Sequence, residues 1–217
     1  IEELGMTEEE IQKIRKIMIV ACGSASHVGH TSKYILEGLA RIPVEVDMAS
    51  EFRYRNPILD EHTLVIVISQ SGETADTLAA LRQAKKMGAR VLGIVNVVGS
   101  SIAREADNVM YTWAGPEISV ATTKAYSAQL ASFYLLAMKF GKVRKALADS
   151  DYEQMIGDLQ QLPGMMEELL KDRQQIQRFA NRYLAAEHIF FIGRGIDYAI
   201  SMEGSLKLKE ISYIHSE

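Results

Sequence analysis

A single cysteine, Cys22, stands in 217 residues. That scarcity excludes an internal disulfide framework and a cysteine-rich zinc site, and it points to a reducing compartment, the cytoplasm. No apolar run approaches the roughly 18 residues that a membrane-spanning helix needs. The N-terminal residues lack the basic-then-apolar layout of a signal peptide. Basic residues are not in excess: the net charge is −4, and no concentrated basic face is visible, which argues against nucleic acid or an anionic membrane as partner. Metal ligands are scarce too. His27 and His30 lie three apart, but no third ligand is near them in sequence, and both read as surface or capping histidines. A small ligand is the partner that remains.

What is present suits a globular protein with a sizeable core, since 47% of residues are hydrophobic and 24% charged. Ile1 in place of Met, and an end inside a helical pattern at Ser216-Glu217, lead us to expect a piece of a longer polypeptide.

Five apolar segments read as strands: Ile17 to Ala21, Val44 to Met48, Leu64 to Ile68, Val91 to Val95 and Asn108 to Thr112. Most alternate little, as strands buried on both faces do. Helical patterns separate them, the first opened by the capping-box sequence Thr7-Glu8-Glu9-Glu10. Strand and helix in alternation predict a doubly wound α/β fold, a parallel five-stranded sheet that binds ligands at the carboxyl ends of its strands.

Three hydroxyl-rich turns fall at those ends. Ser69-Gln70-Ser71-Gly72-Glu73-Thr74 follows the third strand, Cys22-Gly23-Ser24-Ala25-Ser26 follows the first, and Val120-Ala121-Thr122-Thr123-Lys124 opens a helix running from about Thr122 to Phe140. Each can be an ordinary helix cap. Each can also hold an anion such as a phosphate monoester through backbone N–H groups, hydroxyls and the positive end of the helix dipole. Their concentration on the ligand-binding edge favours the anion. Lys124, in a helix first turn that its charge opposes, is read as held for an anion. Arg53 and Arg55, before Asn56-Pro57, read as a solvated or interface turn ahead of a functional one.

Residues 1–150 thus form a first domain. Residues 151–186 read as a helical linker pair broken at Leu162-Pro163-Gly164. Ile189 to Gly195 then restarts the scheme of strand, glycine turn and helix, so residues 187–217 begin a second, truncated copy. Gly193 and Gly195, with Gly204 displaced, make only a fragment of a dinucleotide fingerprint, and NAD is not expected.

In the last helix, expected from about Asp197 to His215, Glu203, Lys207 and Glu210 share a face at spacings of four and three. Such spacing usually marks a solvated ladder contributing about 0.3 to 0.5 kcal/mol per pair. At about 100° per residue, however, Ile196, Ile200 and Ile214 fall in the same sector. Charges that interrupt an apolar face suit proton transfer, with Glu210 as the base, or a buried ion pair that docks two domains.

Ala21-Cys22-Gly23-Ser24, Ala49 to Arg55, Ser69 to Thr77 and Leu206 to His215 closely resemble the isomerase half of the glucosamine-6-phosphate synthase family, and the resemblance covers essentially the whole chain. It implies sugar-isomerase (SIS) domains, a homodimer, and conversion of fructose 6-phosphate with glutamine-derived ammonia into glucosamine 6-phosphate. The ammonia would come from a glutaminase domain of the same polypeptide, absent from this chain. No redox or pyridoxal cofactor is implied. By position, Ser69, Gln70, Ser71 and Thr74 would hold the phosphate, with Gly23 and Ser24 beside it, while Val120, Ala121, Thr122 and Glu203 would meet the substrate. Lys207 and Glu210 would be catalytic. The family's pattern is broken at Ala25, where a hydroxyl residue is common, leaving Ser26 to replace the lost donor. The chain also stops before the family's ring-opening histidine and C-terminal tail, so this piece alone is expected to be inactive. A fructosamine-6-phosphate deglycase or deaminase of the same fold, and a non-catalytic SIS sugar-phosphate sensor, are the alternatives.

Overall fold

The structure, a computed structural model, describes residues 4–217. Helix α1 (Glu8–Lys13) starts on the expected capping box, in which Glu10 N–H donates to Thr7 Oγ1 at 3.2 Å and Thr7 N–H to Glu10 Oε2 at 2.8 Å. Strands and helices then alternate: β1 (Lys16–Ala21), α2 (Ser24–Leu39), β2 (Val44–Met48), α3 (Ala49–Phe52), β3 (Thr63–Ser69), α4 (Ala75–Lys86), β4 (Arg90–Val95), α5 (Ser101–Glu105), β5 (Asn108–Tyr111) and α6 (Lys124–Val143). All five strands pair in parallel, in the order β2-β1-β3-β4-β5.

The pleat sends alternate residues to opposite faces, and both faces are covered. Ile17 and Ile19 of β1, Leu64, Ile66 and Ile68 of β3, and Leu92 and Ile94 of β4 join Leu36, Phe133, Leu136 and Phe140 from α2 and α6. Their neighbours Met18, Val20, Val65, Val67, Val91 and Val95 join Phe52, Leu81 and Ile102 from α3, α4 and α5. Each fully buried Val, Leu or Ile contributes roughly 1.5–3 kcal/mol, so two cores with β3 between them explain why the strand runs are apolar throughout. The strand order reverses between β1 and β3. There the following helices leave to opposite faces and open a crevice beyond the carboxyl ends.

Beyond the sheet, α7 (Asp149–Leu169) and α8 (Arg173–Arg182) are followed by β6 (His188–Ile189), α9 (Ile196–Ser212) and β7 (His215–Ser216). Three sequence expectations need correction here. Helix α7 runs through Pro163. No residue of α7 is buried, so the carbonyl that loses its intrahelical donor can meet water, and the ring's φ already suits a helix. The break falls instead at Leu170 to Asp172, where Asp172 caps α8 by accepting from Gln175 N–H at 3.3 Å. Strand β6 is only two residues long, its His188 and Ile189 paired in parallel with His215 and Ser216 of β7. Helix α9 stops at Ser212 because Tyr213 turns left-handed at φ 60°, which takes Ile214 off the helix.

Candidate active site

A cleft of about 620 Å³ opens at the crevice between β1 and β3, a volume suited to a small ligand. Gly23 and Ser24 line it from the turn after β1, and Ser69, Gln70, Ser71 and Thr74 from the turn after β3. Val120 and Thr122 close one side, and Glu210 reaches it from α9. Elements distant in sequence therefore bring most of the expected site residues together. Ala121, Glu203 and Lys207 do not line the cleft.

The turn after β3 is built from its own hydroxyls. Ser69 Oγ accepts Gly72 N–H at 3.0 Å and pairs with Thr74 Oγ1 at 2.9 Å. Gly72 has φ 68°, and a Cβ there would sit 2.0 Å from Ser100 Oγ, so only glycine fits. Glu73 turns away from the cleft to accept Ser101 N–H at 2.7 Å, and the Ser101 hydroxyl together with that N–H holds its carboxyl below the ordinary range.

Helix N-termini separate the two readings of these turns. Carboxylates occupy the starts of α5 and α6: Glu73 serves the first, and Glu117 accepts from Ala125 N–H at 3.0 Å and Thr123 Oγ1 at 2.7 Å at the second. Neither Gly23 nor Thr74 caps its helix with a side chain. The helix starts in the two phosphate-like turns are thus left without a side-chain cap where they line the cleft, which is what an anion site requires. The third turn corrects its expectation. Its anion is the protein's own Glu117, whose carboxyl the Thr123 hydroxyl holds below the ordinary range, and exposed Lys124 is outside the cleft lining.

Among the described residues no Lys or Arg lines the cleft, so neutral donors and helix dipoles would carry the binding. Arg53 and Arg55 are structural, paired with Asp76 at 2.6 Å and Asp47 at 2.5 Å. Ser26 is buried, its hydroxyl unpartnered and outside the cleft, so it does not replace the donor missing at Ala25. Gln129 is a further cleft residue, outside the polar turns. It is the one amide side chain of α6, lying between Ser127 and Ser132, lines the cleft, and carries a buried Oε1 with no donor. A long amide side chain on a core-facing helix, which must find hydrogen-bond partners if buried, is the signal that could have found it.

On α9, Lys207 Nζ pairs with Glu210 Oε2 and lies 3.6 Å from Glu203 Oε1. The Glu203 side chain is 8% exposed, Lys207 20% and Glu210 40%. Shielding therefore falls on Glu203 and Lys207, where α2 packs against α9; Ile200 is exposed and Ile214 has left the helix. His27, read from sequence as a surface or capping residue, instead meets Glu203 Oε2 through Nδ1 at 2.8 Å.

The sequence profile of the SIS domain family matches residues 10–139 and 183–217. The chain belongs to the SIS domain family. Relatives of this SIS chain include the glutamine–fructose-6-phosphate aminotransferase [isomerizing] of Caldanaerobacter subterraneus subsp. tengcongensis, 57% identical over all of this chain and 36% of its own length. The enzyme of the same name from Clostridium acetobutylicum is 55% identical over the same shares. The chain thus spans about a third of these relatives. Among solved structures, the C-terminal domain of glucosamine-fructose-6-phosphate aminotransferase from Francisella tularensis superposes with a TM-score of 0.94 at 41% identity, over 97% of this chain and 60% of that one. Among the described residues no helix is long and apolar enough to cross a membrane.

Proposed function

We propose that this SIS chain is part of the isomerase half of a glutamine–fructose-6-phosphate aminotransferase and binds fructose 6-phosphate in the cleft between β1 and β3. One observation carries the reading: two uncapped helix starts, their hydroxyl-bearing turns and the Glu210 carboxylate open into the same cavity. Ser24, Ser69, Gln70, Ser71 and Thr74 hold the phosphate, with Gly23 allowing its close approach. Val120 and Thr122 bound the sugar, and Gln129 Oε1 accepts from a sugar hydroxyl.

Glu210 is the base that takes a proton from sugar carbon 1 and returns it at carbon 2. Lys207 holds the Glu210 carboxylate in place and balances its charge, and Glu203 anchors Lys207 from behind. A positioned carboxylate of this kind contributes about 10²- to 10⁴-fold. Residues 1–150 form the first SIS domain, residues 151–186 a helical linker and residues 187–217 the beginning of a second. The two segments matched by the family profile support that division. The intact protein is a cytoplasmic homodimer that receives ammonia from a glutaminase domain of the same polypeptide.

Titration calorimetry tests the binding. Fructose 6-phosphate should release or absorb heat at millimolar concentration, and inorganic phosphate should compete. Neither heat nor thermal shift from the sugar phosphate, together with no competition by phosphate, would overturn the assignment.

A further inference from the structure

We infer that His27 is a positioning residue for the Lys207–Glu210 pair, acting through Glu203. This rests on the proton-transfer role proposed for Glu210. The two oxygens of Glu203 are unequally partnered. That carboxylate is buried between α2 and α9, where an ionised group requires hydrogen bonds or ion partners on both oxygens. Oε2 accepts from His27 Nδ1 at 2.8 Å. Oε1 has no hydrogen-bond donor, and the nearest cation, Lys207 Nζ, stands 3.6 Å away because it is engaged with Glu210.

Lys207 therefore has two carboxylates within reach and chooses Glu210. His27 is what permits that choice. By satisfying one oxygen of Glu203 and fixing its rotamer, it lowers the pull of Glu203 on the ammonium. With the imidazole removed, Glu203 Oε2 would lose its donor, and a small movement of Lys207 would supply one. Glu210 would then lose its partner and its fixed position over the cleft.

His27 is itself held firmly. It lies one turn into α2, whose first residue, Ser24, lines the cleft, and its carbonyl accepts Thr31 Oγ1 at 3.1 Å. Thr31 in turn accepts the Tyr126 hydroxyl of α6 at 3.2 Å. Burial pushes the Tyr126 phenol up, and the Glu203 charge adds to the effect. The phosphate-binding helix and the proton-transfer helix are thus joined through one imidazole.

Two measurements test this. First, the nitrogen-15 spectrum of His27 in the unaltered chain should show the proton on Nδ1; a neutral ring protonated only at Nε2 overturns the contact. Second, exchange of the carbon 1 hydrogen of fructose 6-phosphate with deuterated water should be followed in the intact natural polypeptide. His27→Phe should lower the rate at saturating sugar phosphate by up to about 100-fold, the scale of a misplaced catalytic group, with KM and the affinity for inorganic phosphate unchanged. His27→Asn, whose amide can donate from nearly the same position, should recover most of the loss. Wild-type exchange in His27→Phe, or failure of His27→Asn to recover what His27→Phe loses, overturns the inference. No exchange in the unaltered protein, with His27 protonated on Nδ1, overturns the proton-transfer role of Glu210 and leaves the contact standing as structural.

Discussion

Single side chains set the chemistry of the cleft, and their roles separate by substitution. Glu210→Gln keeps the shape of the residue but removes the base. It should bind fructose 6-phosphate with unchanged affinity in calorimetry, while carbon 1 hydrogen exchange falls by about 10²- to 10⁴-fold. Retained exchange would assign the proton transfer elsewhere. At Ala25, which lines the cleft without a hydroxyl, a substitution to Ser should add one donor. A hydrogen bond of this type contributes about 1 kcal/mol net, or roughly fivefold in Kd, measurable for both inorganic phosphate and the sugar phosphate. Glu10 shows the same logic outside the cleft. The Arg90 guanidinium and the Thr7 N–H hold its carboxyl down to about 2, from an ordinary 4.5. Because the folded value is depressed, the stabilisation is fully present above about pH 4.5 and fades as pH falls toward 2. Glu10→Gln should therefore lose stability near neutral pH and flatten the acid limb of the thermal-melting profile.

Elements decide which of these side chains can meet. The strand runs and their hydroxyl-rich turns were legible in the chain because burial on both faces leaves an apolar run, and a helix start leaves small polar residues. Whether such a start is capped was not legible, since the capping carboxylates Glu73 and Glu117 lie outside the helices they serve. The close approach of Gly72 to Ser100 joins the turn after β3 to α5. Gly72→Ala combines left-handed backbone with a clash and should cost about 1–3 kcal/mol, seen as a lower denaturation midpoint with weakened phosphate binding. An unchanged midpoint would mean the turn can shift without loss. The apolar sector expected on α9 is only partly present. Lys207 and Glu203 are shielded as expected, yet Ile214 lies beyond the left-handed Tyr213 and Ile200 is exposed.

At the scale of the whole molecule, stability is uneven. The sheet carries two packed cores, whereas α7 and α8 bury no side chain. Amide exchange should be slowest in β1, β3 and β4 and fastest across residues 149–182; equal protection in both would contradict this distribution. From composition, periodicity and turn chemistry alone, the amino-acid order determined the parallel α/β sheet, its five strands and the polar turns at their carboxyl ends. These are local signals, written in neighbouring residues by burial and by backbone hydrogen bonding. The tertiary structure alone decided that Gln129 faces the cleft, that Glu117 fills the start of α6, and that His27 reaches Glu203. Those contacts join residues up to 176 positions apart, and no local pattern records a pairing that only the packing of α2 against α9 creates.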